Sequence, residues 1–262
     1  MLNKKIIIID QSSRKQQEQI VLSEDCLVFE LIDQESQLKQ KLKTEIIIKD
    51  NVLVDYVFVL NQQGSLFSEA RVIKLGINSV LHNYYFYLQS PAELSLNQYL
   101  DSHSHLEHQV FVYLNNDLHF SLQENNNFLY PAGEGSIKII TLADDRARIN
   151  YFSDLLIKKA AINTEARLEM EAFIWSKEAK VNLTPGLSVE PNQVKASHAA
   201  KISHLSPEQS FYLQNRALTE AQIKKLIWQS LLDKLTVKIN HPEIKNRLDN
   251  LLNKIKFYEQ NS

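Results

Sequence analysis

The sequence predicts a mainly-β body followed by a small C-terminal α-helical domain. Three observations carry this. Residues 165–174, EARLEMEAFI, alternate with a period of two: Ala166, Leu168, Met170, Ala172 and Ile174 share one parity, and Glu165, Arg167, Glu169 and Glu171 the other. Only Phe173 is out of step, so one face is expected buried and one wet. Short apolar runs between polar turns persist from residue 5 to about residue 205. At Ser206 the texture changes to capped, helix-like segments. The domains are therefore drawn at 1–205 and 206–262.

Strand-like sequence begins at residue 5. Residues 46–60, IIIKDNVLVDYVFVL, are two apolar runs separated by Lys-Asp-Asn, and residues 118–122, LHFSL, repeat the alternation. With only 5 glycines in the chain, turns must use Asn, Asp and Ser, as in LNNDLH and QENNNF. If residues 194–202 form one strand, Val194, Ala196, His198, Ala200 and Ile202 share a face, with Lys195, Ser197 and Lys201 opposite. Alternation fits a sandwich, a barrel or a solenoid, and no fixed repeat length stands out.

Three helices are expected at 207–216, 220–236 and 241–257. Ser206-Pro207-Glu208-Gln209 has an N-cap serine, a proline at the first helical position and a glutamine at the capping-box position. Thr219-Glu220-Ala221-Gln222 repeats the box, and Asn240-His241-Pro242-Glu243 repeats it again. Behind the second box Ile223, Leu226, Ile227, Ser230 and Leu231 lie at helical spacing. Behind the third, Leu248, Leu251, Leu252 and Ile255 do the same. Phe211, Tyr212 and Trp228 at helical positions read as packing, not base stacking.

Composition excludes several classes. A net charge of −2 argues against a nucleic-acid-coating protein. The single cysteine, Cys26, rules out an internal disulfide framework and a cluster held by four thiolates of this chain; it fits a reducing, cytoplasmic setting. Acids flank Cys26 and an apolar run follows it, the pattern of a buried structural thiol. The N-terminal apolar run, Ile6–Ile9, is too short for a signal peptide, and no stretch is long enough to cross a bilayer. There is no P-loop and no nucleophile elbow. The cluster His103-Ser104-His105-Leu106-Glu107-His108 has a metal-like composition. Its expected form is a solvated loop, with His103 and His105 on one face and no cysteine to close a site. Glu165, Glu169 and Glu171 with Arg167 are the only group suggesting a carbohydrate-active β-solenoid, and a solvated outer face explains them more simply.

Residues 185–217, PGLSVEPNQVKASHAAKISHLSPEQSFYLQNRA, are the most specific stretch. Val194, Lys195, Ser197, His198 and Ala200, then Glu208, Gln209, Phe211, Tyr212, Leu213 and Arg216, resemble the signature of the SufB/SufD family, scaffolds of iron–sulfur cluster assembly, and the SufD branch most. Upstream, Asp145, Arg146, Ala147, Arg148, Thr164, Ala166, Arg167, Ser176, Ala179, Pro185 and Leu187 fall in the same register, so the resemblance covers about 140–220. Ala199 and Ala217 stand where the family has glycine, Ala196 where it often has cysteine, and Leu168 and Met170 where it usually has polar residues. The resemblance implies a right-handed parallel β-helix followed by the helical domain, in a member lacking the usual N-terminal helical domain. It implies a non-catalytic subunit that pairs with a SufB-like subunit through the β-helix, or with itself when isolated. A SufC-like ABC ATPase would dock on the C-terminal helices through Phe211, Tyr212, Arg216, Leu226 and Ile227. It makes His198 a ligand for iron or a transient iron–sulfur cluster at the partner interface, with no cofactor stably bound by this chain alone. On the residues alone, a histidine on an apolar face reads more simply as a hydrogen-bonded core residue, and only the resemblance brings the ligand reading level with it. A divergent member retaining only a structural role is the remaining alternative.

Overall fold

Each strand from Lys5 to His204 finds its partner one coil away along the chain. The protein is described by a computed structural model over residues 4–10, 14–33, 41–62, 64–237, 239, 241–252 and 255. Odd-numbered strands form one sheet: β1 (Lys5–Asp10), β3 (Cys26–Ile32), β5 (Leu53–Leu60), β7 (Val80–Leu88), β9 (His105–Leu114), β11 (Glu134–Ala143), β13 (Glu165–Ile174) and β15 (Lys195–His204), hydrogen-bonded in that order. Even-numbered strands form the other: β2 (Gln17–Leu22), β4 (Leu42–Ile48), β6 (Phe67–Leu75), β8 (Ala92–Leu100), β10 (His119–Phe128), β12 (Arg148–Ile157) and β14 (Lys180–Val189). Pairing is parallel, as in β7 with β9 and β10 with β12. Chain neighbours lie in opposite sheets, and this winding is a parallel β solenoid. Sandwich and barrel are thereby excluded.

The corners explain both the scarcity of glycine and the hidden repeat. Asn51, Asn78, His103, Ala132 and Asn163 all have positive φ. They stack: Asn51 N–H donates to the Ile77 carbonyl (2.8 Å), Asn78 to Ser102 (3.0 Å), His103 to Pro131 (3.1 Å), Ala132 to Ile162 (2.9 Å) and Asn163 to Gln193 (2.6 Å). Asparagine takes most of these left-handed positions, where its short amide side chain is tolerated. The corners are separated by 27, 25, 29 and 31 residues, so the structural repeat never becomes a sequence period.

Burial follows the pleat. In β13 the parity of Ala166, Leu168, Met170, Ala172 and Ile174 is buried, as the alternation predicts. In β3 and β5 the inner-face Val28, Val54 and Tyr56 are buried, and so are the outer-face Leu27, Phe29, Val57 and Val59. Strands buried on both faces lose their alternation and read as continuous apolar runs.

The interior is not wholly apolar. Near the first coils, Arg71 and Arg14 meet Glu30 and Glu69: Arg71 Nη1–Glu30 Oε2 3.0 Å, Arg71 Nη2–Glu69 Oε1 3.1 Å, Arg14 Nη1–Glu30 Oε1 3.2 Å and Arg14 Nη2–Glu69 Oε1 2.5 Å. The Thr44 hydroxyl donates to Glu69 (2.6 Å), Tyr56 to Glu30 (2.5 Å), and the Arg71 guanidinium sits 4.4 Å from the Phe58 ring centroid. Burial would push the Glu69 carboxyl up, but Arg71 and then Arg14 hold it below the usual carboxylate range. Further along, Glu124 accepts from Tyr151 (2.7 Å) and Asn126 (2.8 Å). No sequence pattern signalled these networks, because most of their contacts join residues far apart in the chain.

The chain divides into two compact units, Met1–Ile202 and Ser203–Ser262. The second contains α1 (Pro207–Gln214), α2 (Glu220–Thr236) and α3 (Pro242–Leu252). The first two expected capping boxes form: Ser206 and Gln209, then Thr219 and Gln222, exchange side-chain and backbone hydrogen bonds. The third box falls partly on Asn240, outside the described residues, as do 253, 254, 256 and 257 of the expected third helix. The first helix ends two residues early, and Ala217 after it has φ 59°. That left-handed position favours glycine, and alanine there carries strain.

Candidate functional site

The two strands that end the sheets, β14 and β15, hold the candidate site. Inner-face positions of β12 (Ile149, Tyr151, Leu155 and Ile157) are fully buried. Their register partners on β14 are Val181, Leu183, Leu187 and Val189. The first two are half-buried against the core, whereas Leu187 is 36% and Val189 40% exposed. Among the described residues no further coil follows β14 in its sheet, and its inner face is left partly open. Pro185 is tolerated within β14 because an edge strand has no neighbour demanding its N–H. Gly186 beside it leaves room for the Asp154 carboxylate, which a Cβ there would displace.

β15 shows the same gradient. Val194 and Ala196 pack against the core, but His198, Ala200 and Ile202, of the same parity, are exposed, Ile202 to 49%. The expected strand and shared face are present. The expected dry surroundings of His198 are not, because the coil that would cover this face does not exist among the described residues. Beside the first residues of β15 runs a groove of about 590 Å³ lined by His105, Glu134, Glu165, Arg167, Lys195 and Ser197.

The helical unit has its own unsatisfied surface. α1 buries none of its residues; Phe211 is 65% and Tyr212 56% exposed, and the Arg216 guanidinium lies 4.7 Å from the Tyr212 ring centroid. Phe211 and Tyr212 are thus not packing residues of this chain, correcting that expectation, while buried Trp228 is one. In α2 the buried arc is Ile223, Lys224, Trp228, Leu231, Leu232, Leu235 and Thr236. Leu226 falls outside it and is exposed, and Ile227 sits half-buried at its margin. Spacing from Ile223 put Leu226 on the buried stripe; the larger Trp228 and the leucines centre the arc elsewhere.

The histidine cluster is dispersed by the fold. His103 occupies a corner, His105 begins β9 on the outer face, and His108 lies inside the solenoid, 3.7 Å from Glu124. A shared face for His103 and His105 does not form because the strand starts only at His105, and the segment is not a solvated loop. Among the described residues no three His, Cys, Asp or Glu side chains are grouped to hold a metal ion. Of the outer-face acids, Glu165 pairs with Lys195 (2.6 Å) and Glu169 with Arg167. Cys26 is buried, and burial pushes its thiol up to about 11. A neutral, enclosed thiol is a poor ligand. Anaerobic reconstitution of the isolated chain is therefore expected to yield no stoichiometric iron–sulfur cluster; a sulfur-to-iron charge-transfer band on the lone chain would contradict this. Among the described residues no helix is long and apolar enough to cross a membrane.

Residues 7–231 match the family described as SUF system FeS cluster assembly, SufBD core domain. The chain is 28% identical over 158 residues to an iron–sulfur cluster assembly SufBD family protein of Mycobacterium bovis, covering 60% of this chain and 38% of that protein. It is 27% identical over 107 residues to a SufBD family protein of Synechocystis, covering 41% and 24%. With the iron–sulfur cluster assembly protein SufD of Escherichia coli it shares 24% identity over 108 residues, covering 41% and 26%. The chain thus spans less than half the length of these relatives.

Proposed function

Starting from the fact that this chain belongs to the SufBD family of iron–sulfur cluster assembly proteins, we propose that it is a non-catalytic scaffold subunit of a SUF-type complex. A SufB-like subunit, itself a β solenoid, covers the open inner face of β14 and β15. A SufC-like ATPase docks on the helical unit through Phe211, Tyr212, Arg216, Leu226 and Ile227 and supplies nucleotide hydrolysis. The nascent cluster is cargo at the first of these contacts.

The observation that carries this is the gradient of exposure along the last coil. Leu187, Val189 and Ile202 are apolar, face inward by parity, and are left open. Open edge strands with an apolar face invite another protein's strands, and a partner of the same architecture continues both sheets. His198 lies on that face. Its neutral imidazole is a competent iron ligand. With Cys26 enclosed, thiolate ligands come from the partner, and the reducing cytoplasm suits such chemistry.

The test uses the full complex. His198→Ala is expected to leave the melting temperature of this chain unchanged, because an exposed side chain contributes less than about 0.5 kcal/mol. Partner binding should hold while cluster formation by the complex falls at least tenfold. His204→Ala, on the same strand, is the control. Loss of stability in step with activity, or undiminished cluster formation, would refute the role. Ile202→Asp tests the pairing face separately: it should abolish co-purification with the SufB-like subunit, and retained pairing would remove this face from the interface.

A further inference from the structure

The outer face of the odd-numbered sheet holds two histidines that no motif connects. His82 lies on β7 and His105 on β9, 23 residues apart in sequence, on adjacent strands. Their rings meet edge to face, with centroids 6.4 Å apart. Each ring is tethered by a carboxylate through Nδ1: His82 Nδ1 to Asp55 Oδ1 at 2.8 Å, and His105 Nδ1 to Glu134 Oε2 at 3.1 Å.

The direction of the tethers decides what the other nitrogens do. Strand order is β5, β7, β9, β11. Asp55 is on β5, on the far side of His82 from His105. Glu134 is on β11, on the far side of His105 from His82. Each Nδ1 is held on the outer flank of the pair, so Nε2 is the nitrogen of each ring left for a ligand. The tethers also set the tautomer. Asp55 faces His82 Nδ1 with one carboxylate oxygen and accepts from Lys4 with the other. A carboxylate oxygen in that place takes its hydrogen bond from His82 Nδ1–H, the tautomer whose lone pair is on Nε2. Carboxylate–imidazole pairs of this kind orient histidine ligands in metal sites. The second oxygen of Asp55 is occupied by Lys4 at 2.7 Å. Glu107, the register partner of His82, adds negative charge on the same face and accepts from Gln109. Both histidine side chains are reachable from solvent, at 30% and 37% exposure.

We propose that His82 and His105 form a two-histidine site for a divalent transition-metal ion that favours imidazole, of the zinc, nickel or copper class, with solvent completing the coordination. The site lies on the outer face of the sheet, whereas His198 has inner-face parity on β15, and its existence does not depend on any partner.

The test is direct titration of the full chain with Zn²⁺ by calorimetry, and with Cu²⁺ followed by electron paramagnetic resonance. One saturable site is expected at pH 7.5, with hyperfine splitting from two imidazole nitrogens. Binding should weaken strongly at pH 5.5, where protonation competes with the metal. His82→Gln and His105→Gln should each lower affinity at least tenfold and remove one nitrogen from the spectrum. Glu134→Gln, which touches only the tether, should weaken binding by about tenfold or more. His103→Gln, two residues from His105 but on the corner, should change nothing. All variants should melt with the metal-free wild type, since both rings lie on the outer face. Absence of saturable binding, binding that survives His82→Gln, or an equal loss in His103→Gln would overturn the site.

Discussion

Arg71→Met is expected to cost a large part of the protein's stability. The variant leaves one guanidinium, Arg14, to balance the two enclosed carboxylates Glu30 and Glu69. Removing one partner from a buried charge group costs about 3–5 kcal/mol, and a whole domain is stable by only about 5–15 kcal/mol. Urea titration followed by far-ultraviolet circular dichroism measures this. Glu69→Gln added to Arg71→Met restores a one-to-one balance between Arg14 and Glu30 and should recover a large part of the loss. If the single variant unfolds at the wild-type urea concentration, the network is dispensable. The pH dependence follows from Glu69, whose folded pKa lies below its unfolded value near 4.5. Its contribution is complete above the unfolded value and is lost as pH falls through the folded one. The gap between wild type and Arg71→Met should therefore narrow below about pH 4.5, and a constant gap down to pH 2 would contradict the assignment.

Combined replacement of Phe211, Tyr212 and Leu226 by alanine is expected to lower affinity for the SufC-like ATPase at least a hundredfold with no change in melting temperature. These three are exposed, and α1 buries nothing. Their removal costs the folded chain little, while aromatic anchors at the centre of an interface commonly carry more than about 2 kcal/mol each. Deleting residues 218–262 should abolish the interaction. Undiminished ATPase affinity in the triple variant would remove these residues from the contact. A lowered melting temperature would show that they pack within this chain after all.

Several features were legible before any coordinates because their signal is local. The alternation of β13 declares which side is wet, since side chains on a strand point to opposite faces. Ser206 and Thr219 announce helix starts because a capping box lies within four residues. The SufBD signature at Val194–Arg216 was readable for the same reason, being contiguous. Where local signals failed, distant residues had taken part. The position of Leu226 in α2 depended on which side chains the fold buries, and spacing alone could not tell.

By itself, the sequence determined that the body is β, that three helices follow, and that the family is SufBD, because alternation, caps and contiguous motifs are properties of neighbouring residues. The solenoid winding was implied by the family resemblance and not by periodicity, since its corners vary from 25 to 31 residues and leave no period to detect; the tertiary structure shows it directly. It alone placed Arg71 between Glu30 and Glu69, paired His105 with His82 instead of its chain neighbours, and left His198 exposed. The physical reason is common to all three. In a parallel solenoid many of a side chain's partners lie a full coil away, and among the described residues the last coil has a neighbouring coil on one side only.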